Sequence, residues 1–205
     1  MIASLKYKAN SITKPIVLYV WIAFVLNISQ ICIWKFGIVF NFSSQPGDNV
    51  FIYNTHSIVR LLLFSWFFLQ IKQSLLPWSK KLVPVIFIIF ILVNFIFFER
   101  FTGFSSRTLS LETGLLLFNC LLFYFNISMQ DQELAFAKDP AFWITTGLSI
   151  YVVVNFPIFL FYNQITARYE NFAVHIWDLH NITYIILCLF IARGFFLIKT
   201  NIKNG

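Results

Sequence analysis

Six apolar runs, each close to the thickness of a lipid bilayer in length, leave this chain few folds to choose from. Crossing a hydrocarbon core of ~30 Å takes about 20 apolar residues at ~1.5 Å rise each. The runs 15–34, 55–71, 82–98, 111–128, 142–163 and 173–198 meet or approach that length. They are continuous rather than alternating, and too long for barrel strands of about 9–11 residues. A helix satisfies its own backbone hydrogen bonds inside lipid, so the pattern predicts an all-α fold. The expected architecture is an integral membrane bundle of six transmembrane helices forming one domain over 1–205. The last run is long enough to tilt or to project from the membrane. In the third, Pro84 falls in the expected first turn, where a missing N–H costs least.

Composition excludes the main competitors. The 205 residues are 59% hydrophobic and only 11% charged, with 27 phenylalanines. A soluble domain carries roughly 25% charged residues, and a disordered chain needs low hydrophobicity. The formal charge of +7 does not point to nucleic acid, because the basic residues are scattered through short segments and form no stripe. Cys32, Cys120 and Cys188 lie inside apolar runs without CxxC spacing, and read as small packing residues. The sequons at Asn41 and Asn181 read as chance occurrences in a chain rich in Asn, Ser and Thr.

Charge also predicts orientation. Lys6, Lys8 and Lys14 precede a full-length run with no small-residue cleavage site, so the N-terminus reads as cytoplasmic rather than as a signal peptide. With six crossings the C-terminus returns to the same side. The inner segments then hold those three lysines with Lys72, Lys80, Lys81, Lys138, Lys199 and Lys203, nine in all. The outer segments hold Lys35, Arg100, Arg107 and Arg168, which is four. The expected location is the bacterial inner membrane. No connecting segment is long enough to fold alone, although 36–54 contains a turn-forming Ser-Ser-Gln-Pro-Gly-Asp cluster. The whole chain therefore reads as one bundle with no attached output domain.

Ionisable residues within membrane spans are rare and point to function. His56 and Arg60 stand four apart on one face of the second run. Glu112, Asn119 and Asn126 recur every seven residues and make one polar stripe on the fourth. On the fifth, Tyr151, Asn155 and Tyr162 share a face, with Pro157 interrupting the backbone nearby. The sixth opens with His175, Asp178 and Asn181 on one face and His180 with Tyr184 on the opposite one. Alternation of direction brings His56, Arg60, Glu112, Asn155, His175, Asp178 and His180 toward a single membrane face, expected to be the outer one. Three readings stay open for this cluster. Arg60 could form a structural pair with Glu112 or Asp178. The set could line an outward pocket for a ligand or ion. The His and carboxylate donors could also hold a metal, although no HxxxH or HExxH spacing is present. Non-titrating Asn119 and Asn126 argue against a proton path, and the lack of an intramembrane lysine argues against a retinal protein.

Several of these stretches resemble a set of uncharacterised bacterial polytopic membrane proteins that accompany sensor histidine kinases. They are Tyr53-Asn-Thr-His-Ser-Ile-Val-Arg60, Glu112 before Thr113 and Gly114, and Asp139-Pro-Ala-Phe-Trp-Ile-Thr-Thr-Gly147. Tyr151, Asn155, Pro157 and Asp178-Leu-His-Asn181 complete the pattern, which covers about 15–195. The resemblance implies a sensory or signalling accessory whose partners are the lipid bilayer and another membrane protein with a cytoplasmic output domain. A looser likeness to seven-helix metal-dependent membrane hydrolases departs in lacking paired histidines. A hydrolase is the alternative expectation, and a structural subunit of a larger membrane complex a further one.

Overall fold

A computed structural model of the chain describes residues 13–37, 48–72, 74–129, 136–168 and 170–203. Over these it is all-α: α1 (Lys14–Phe36), α2 (Val50–Gln70), α3 (Ser79–Phe97), α4 (Ser106–Ser128), α5 (Pro140–Arg168) and α6 (Glu170–Lys203). A single 3₁₀ turn, Phe136–Lys138, precedes α5. The turn cluster expected near 43–47, the sequon at Asn41, and Lys6 and Lys8 lie outside the described residues.

Five helices are long and apolar enough to cross a membrane: α1, α3, α4, α5 and the His175–Ile198 portion of α6. The expected sixth span, α2, has 21 residues, about 31 Å of rise, so length is not its shortfall. Its first turns carry Asn54, Thr55, His56, Ser57 and Arg60, which dilute its apolar character. Asn54, Ser57 and Arg60 are all buried, so this polar load faces protein rather than lipid. That is where a membrane helix can carry such groups at tolerable cost.

Packing makes α4 the central helix. Of its spanning stretch 56% is buried, against 22% in α1 and in α3. The outward faces of α1 and α3 instead expose Val25, Ile31, Ile89 and Ile96. The closest packed neighbours are α5 with α6 and α4 with α5, while α1 rests mainly on α2. The core joins Leu61, Phe64 and Phe67 of α2 to Leu116 of α4, Leu148 of α5 and Leu187 of α6.

Three expectations shift at helix ends. Ser105 caps α4, its side chain accepting from the Thr108 N–H, so the helix starts at Ser106 rather than near 111. Arg107, expected in a loop, therefore stands in the first turn of α4 and pairs with Glu99 at 3.7 Å. Helix α3 begins at Ser79, which moves Pro84 from the first turn into the second. Helix α5 ends at Arg168 rather than near 163, running on through Pro157. The carbonyl that Pro157 deprives of a donor is that of Val153, on the exposed side of the helix.

Candidate functional site

Helices α2, α4 and α6 all begin at the same end of the bundle, its upper end. There the third and sixth residues before Arg60, Ser57 and Asn54, lie along its buried face. Arg60 reaches α4 and grips Glu112 as a fork: Nε donates to Oε1 at 2.6 Å and Nη2 to Oε2 at 2.7 Å. The Ser57 hydroxyl donates to Oε2 at 3.0 Å. The guanidinium also lies 4.6 Å from the centroid of the Tyr151 ring on α5. Arg60 and Glu112 are 3% and 0% exposed, so the pair is fully enclosed. Such burial is tolerable because each charge is neutralised and the fork satisfies both carboxylate oxygens.

A second knot joins α5 to α6. Asn155 donates from Nδ2 to the Tyr151 carbonyl and to Thr183 Oγ1, both at 2.8 Å. With its amide nitrogen so engaged, its Oδ1 faces His180 Nδ1 at 2.6 Å. His180 is therefore the donor at Nδ1, and in the neutral ring Nε2 is left as an acceptor. The imidazole is walled by Tyr151, Phe159 and Trp177, with ring centroids 5.2–5.7 Å away. Trp177 in turn donates to the Tyr162 hydroxyl at 3.1 Å.

Between these knots lies a polar pocket of about 70 Å³. Its walls come from four helices: Asn27 and Gln30 of α1, Tyr53, His56 and Arg60 of α2, Leu109 of α4, and His180, Asn181 and Tyr184 of α6. The His56 ring stacks on Tyr19 at 6.0 Å and meets Tyr184 edge-on at 5.7 Å. Its Nε2 is buried and makes no hydrogen bond. An unpaired buried ring nitrogen at a pocket wall costs free energy unless something occupies the pocket.

The expected residues thus divide. Structure brings together His56, Arg60, Glu112, Asn155 and His180. His175 and Asp178 fall on the exposed face of α6 and do not join them. The helical period explains the split, since 175 and 178 lie on one side and 180 and 184 on the other. Among the described residues no group of three His, Cys, Asp or Glu side chains converges as a metal site. The polar stripe of α4 is buried along its length, with Asn119 3% and Asn126 4% exposed. Asn126 serves the lower end, where its Oδ1 accepts from the Ser74 N–H and hydroxyl at 3.0 and 2.8 Å.

Sequence reasoning passed over Asn27 and Gln30, and named Tyr53 and Tyr184 without placing them in the site. Asn27 and Gln30 are three apart on one face of α1, and Tyr53 precedes His56 by three, which was the available signal. Gln30 donates to the Tyr53 hydroxyl, and Asn27 donates to the Tyr184 hydroxyl at 3.2 Å. No protein-family model matches the chain, nor does any curated protein or solved structure.

Proposed function

We propose that the chain is a six-span membrane protein of the bacterial inner membrane that acts as a sensory or signalling accessory through its upper pocket. In this reading α2 is the sixth span, both termini are cytoplasmic and the pocket opens on the outer side. The observation that carries it is a polar pocket walled by α1, α2, α4 and α6, with a buried imidazole nitrogen left without a partner. A ligand there touches four helices at once, so occupancy can bias how they pack. It does so only if the two packings bind the ligand with different free energies. The receiving partner is a membrane protein with a cytoplasmic output domain.

Isolation of the chain from its native membrane in mild detergent tests the accessory role. The expected result is a stoichiometric membrane partner with a cytoplasmic domain, identified by mass. Recovery of a lone monodisperse chain overturns it.

A further inference from the structure

Directly below the polar pocket, α1 and α6 stand apart. A crevice of about 230 Å³ runs between them and is lined by these two helices alone. Small side chains open it, with Ala23 on α1 facing Cys188 and Ala192 on α6. Phe24, 40% exposed, stands at its rim, so the crevice opens sideways toward the membrane rather than upward. Its walls are mostly apolar, interrupted by the Tyr19 hydroxyl and the Cys188 thiol, and turn polar at the top. There Asn27 and Tyr184 line both the crevice and the polar pocket. From Tyr184 down to Phe195 is a step of eleven residues, about 16 Å along the helix. That is close to half of a ~30 Å hydrocarbon core, the depth of a single leaflet.

A hydrocarbon chain gains little by leaving lipid tails for such a crevice, since the two surroundings are equally apolar. Recognition must come from the head group. The polar pocket is small and offers room for one compact group. Glu112 does not repel an anion there, because Arg60 and Ser57 occupy both of its oxygens. Arg60 also lines the pocket and has five N–H donors, more than the fork to Glu112 consumes. Unpaired His56 Nε2 and the Nε2 of His180 complete the wall. A carboxyl group matches this set in either protonation state. Ionised, it accepts from the guanidinium and from a neutral ring's N–H; protonated, its O–H donates to an unprotonated imidazole nitrogen.

We infer that the polar pocket and the α1–α6 crevice together bind one long-chain fatty acid, its carboxyl group against Arg60 and His56 and its chain between Ala23 and Ala192. This rests on the polar pocket being a ligand site and names the ligand class. The crevice has one lane and the pocket one compact polar chamber, which fits a single-chain amphiphile better than a two-tailed lipid. The Asn27–Tyr184 bond marks the threshold between them, and a carboxyl oxygen arriving there can take the Tyr184 hydroxyl as its own donor.

The test is binding of radiolabelled oleate to the full chain in detergent micelles, with unlabelled phosphatidylglycerol and hexadecanol as competitors. Acetate, which has the head group and no tail, is followed in parallel by saturation-transfer NMR. One oleate per chain is expected, with neither competitor displacing it at equal concentration. Ala192→Phe should weaken oleate binding at least tenfold and leave acetate binding intact, whereas His56→Leu should weaken both. If either variant elutes as aggregate, Ala192→Leu or His56→Gln takes its place. Oleate binding that survives the filled crevice, or that hexadecanol or phosphatidylglycerol matches, overturns the fatty-acid site. His56-dependent binding of acetate with no tighter binding of oleate overturns it while leaving the pocket as a ligand site. Binding of neither overturns both.

Discussion

At the scale of single residues, Arg60 and Glu112 show how the surroundings of a charge set its energetic role. Neither could be buried alone, and together they tie α2 to the central helix α4. Arg60→Met should leave Glu112 as an uncompensated buried charge and cost about 3–5 kcal/mol. Replacing both, as Arg60→Met with Glu112→Leu, should recover most of that loss. Thermal unfolding in detergent separates the cases, and a double variant no better than the single one would show that the pair is more than a compensated couple. Asn155 holds three partners on two helices, Tyr151, Thr183 and His180. Asn155→Leu should lower stability by about 0.6–2 kcal/mol for each interhelical hydrogen bond it removes. It should also free the His180 ring, visible as an exchange-broadened imidazole resonance; a sharp, unshifted signal would contradict the assigned bond. The charged and titratable members of this site were legible in the sequence, because such groups inside apolar runs are rare and therefore conspicuous. Asn27 and Gln30 were not, since nothing local in α1 says that it meets α6 across a pocket.

At the scale of elements, the closeness of α5 to α6 depends on two glycines that serve opposite directions. A Cβ on Gly147 of α5 would lie 2.4 Å from the Phe190 Cβ of α6. A Cβ on Gly194 of α6 would lie 2.8 Å from Ile144 Cγ1 and 3.1 Å from the Pro140 carbonyl of α5. Small residues at such crossings let helix backbones approach where no hydrophobic force drives them together. Gly147→Ala should therefore destabilise by about 1–3 kcal/mol through overpacking, even after the ~1 kcal/mol that alanine gains in helix propensity. Gly103→Ala is the control, because its nearest neighbour there is the Arg100 carbonyl at 3.6 Å. In a Phe190→Gly background, which removes the Phe190 Cβ, Gly147→Ala should cost much less, and an undiminished cost in unfolding midpoint would place the strain elsewhere. Hydropathy made these helices legible but not their starts. The Ser105 cap draws α4 back to Ser106 with Arg107 in its first turn, because a capped, half-polar turn projects beyond the apolar run.

At the scale of the whole molecule, the number and kind of helices followed from run length, whereas their neighbours did not. Lipid-facing and protein-facing apolar residues are chemically alike, so hydropathy cannot say which helix is central. Burial singles out α4, and it leaves α2 as the helix whose polar residues turn inward. That placement governs the remaining topological question, whether α2 crosses. If it does, the connectors α1–α2 and α2–α3 lie on opposite sides of the membrane and the chain ends return to a common side. Were α2 to lie along the surface, the ends would part to opposite sides. Single-cysteine variants Asp48→Cys, in the first connector, and Lys72→Cys, in the second, distinguish these in a background where Cys32, Cys120 and Cys188 are replaced. An impermeant maleimide applied to intact cells should modify Asp48→Cys and spare Lys72→Cys until the membrane is opened. Two added cysteines just before Lys14 and just after Lys203 should behave like Lys72→Cys. The burial of Arg60 and Glu112 where α2 meets α4 makes the crossing the favoured outcome, because a surface helix could turn Arg60 to water and would have no use for the fork. Labelling of Asp48→Cys and Lys72→Cys from the same side would break the six-span reading and would move the polar pocket off the outer face with it.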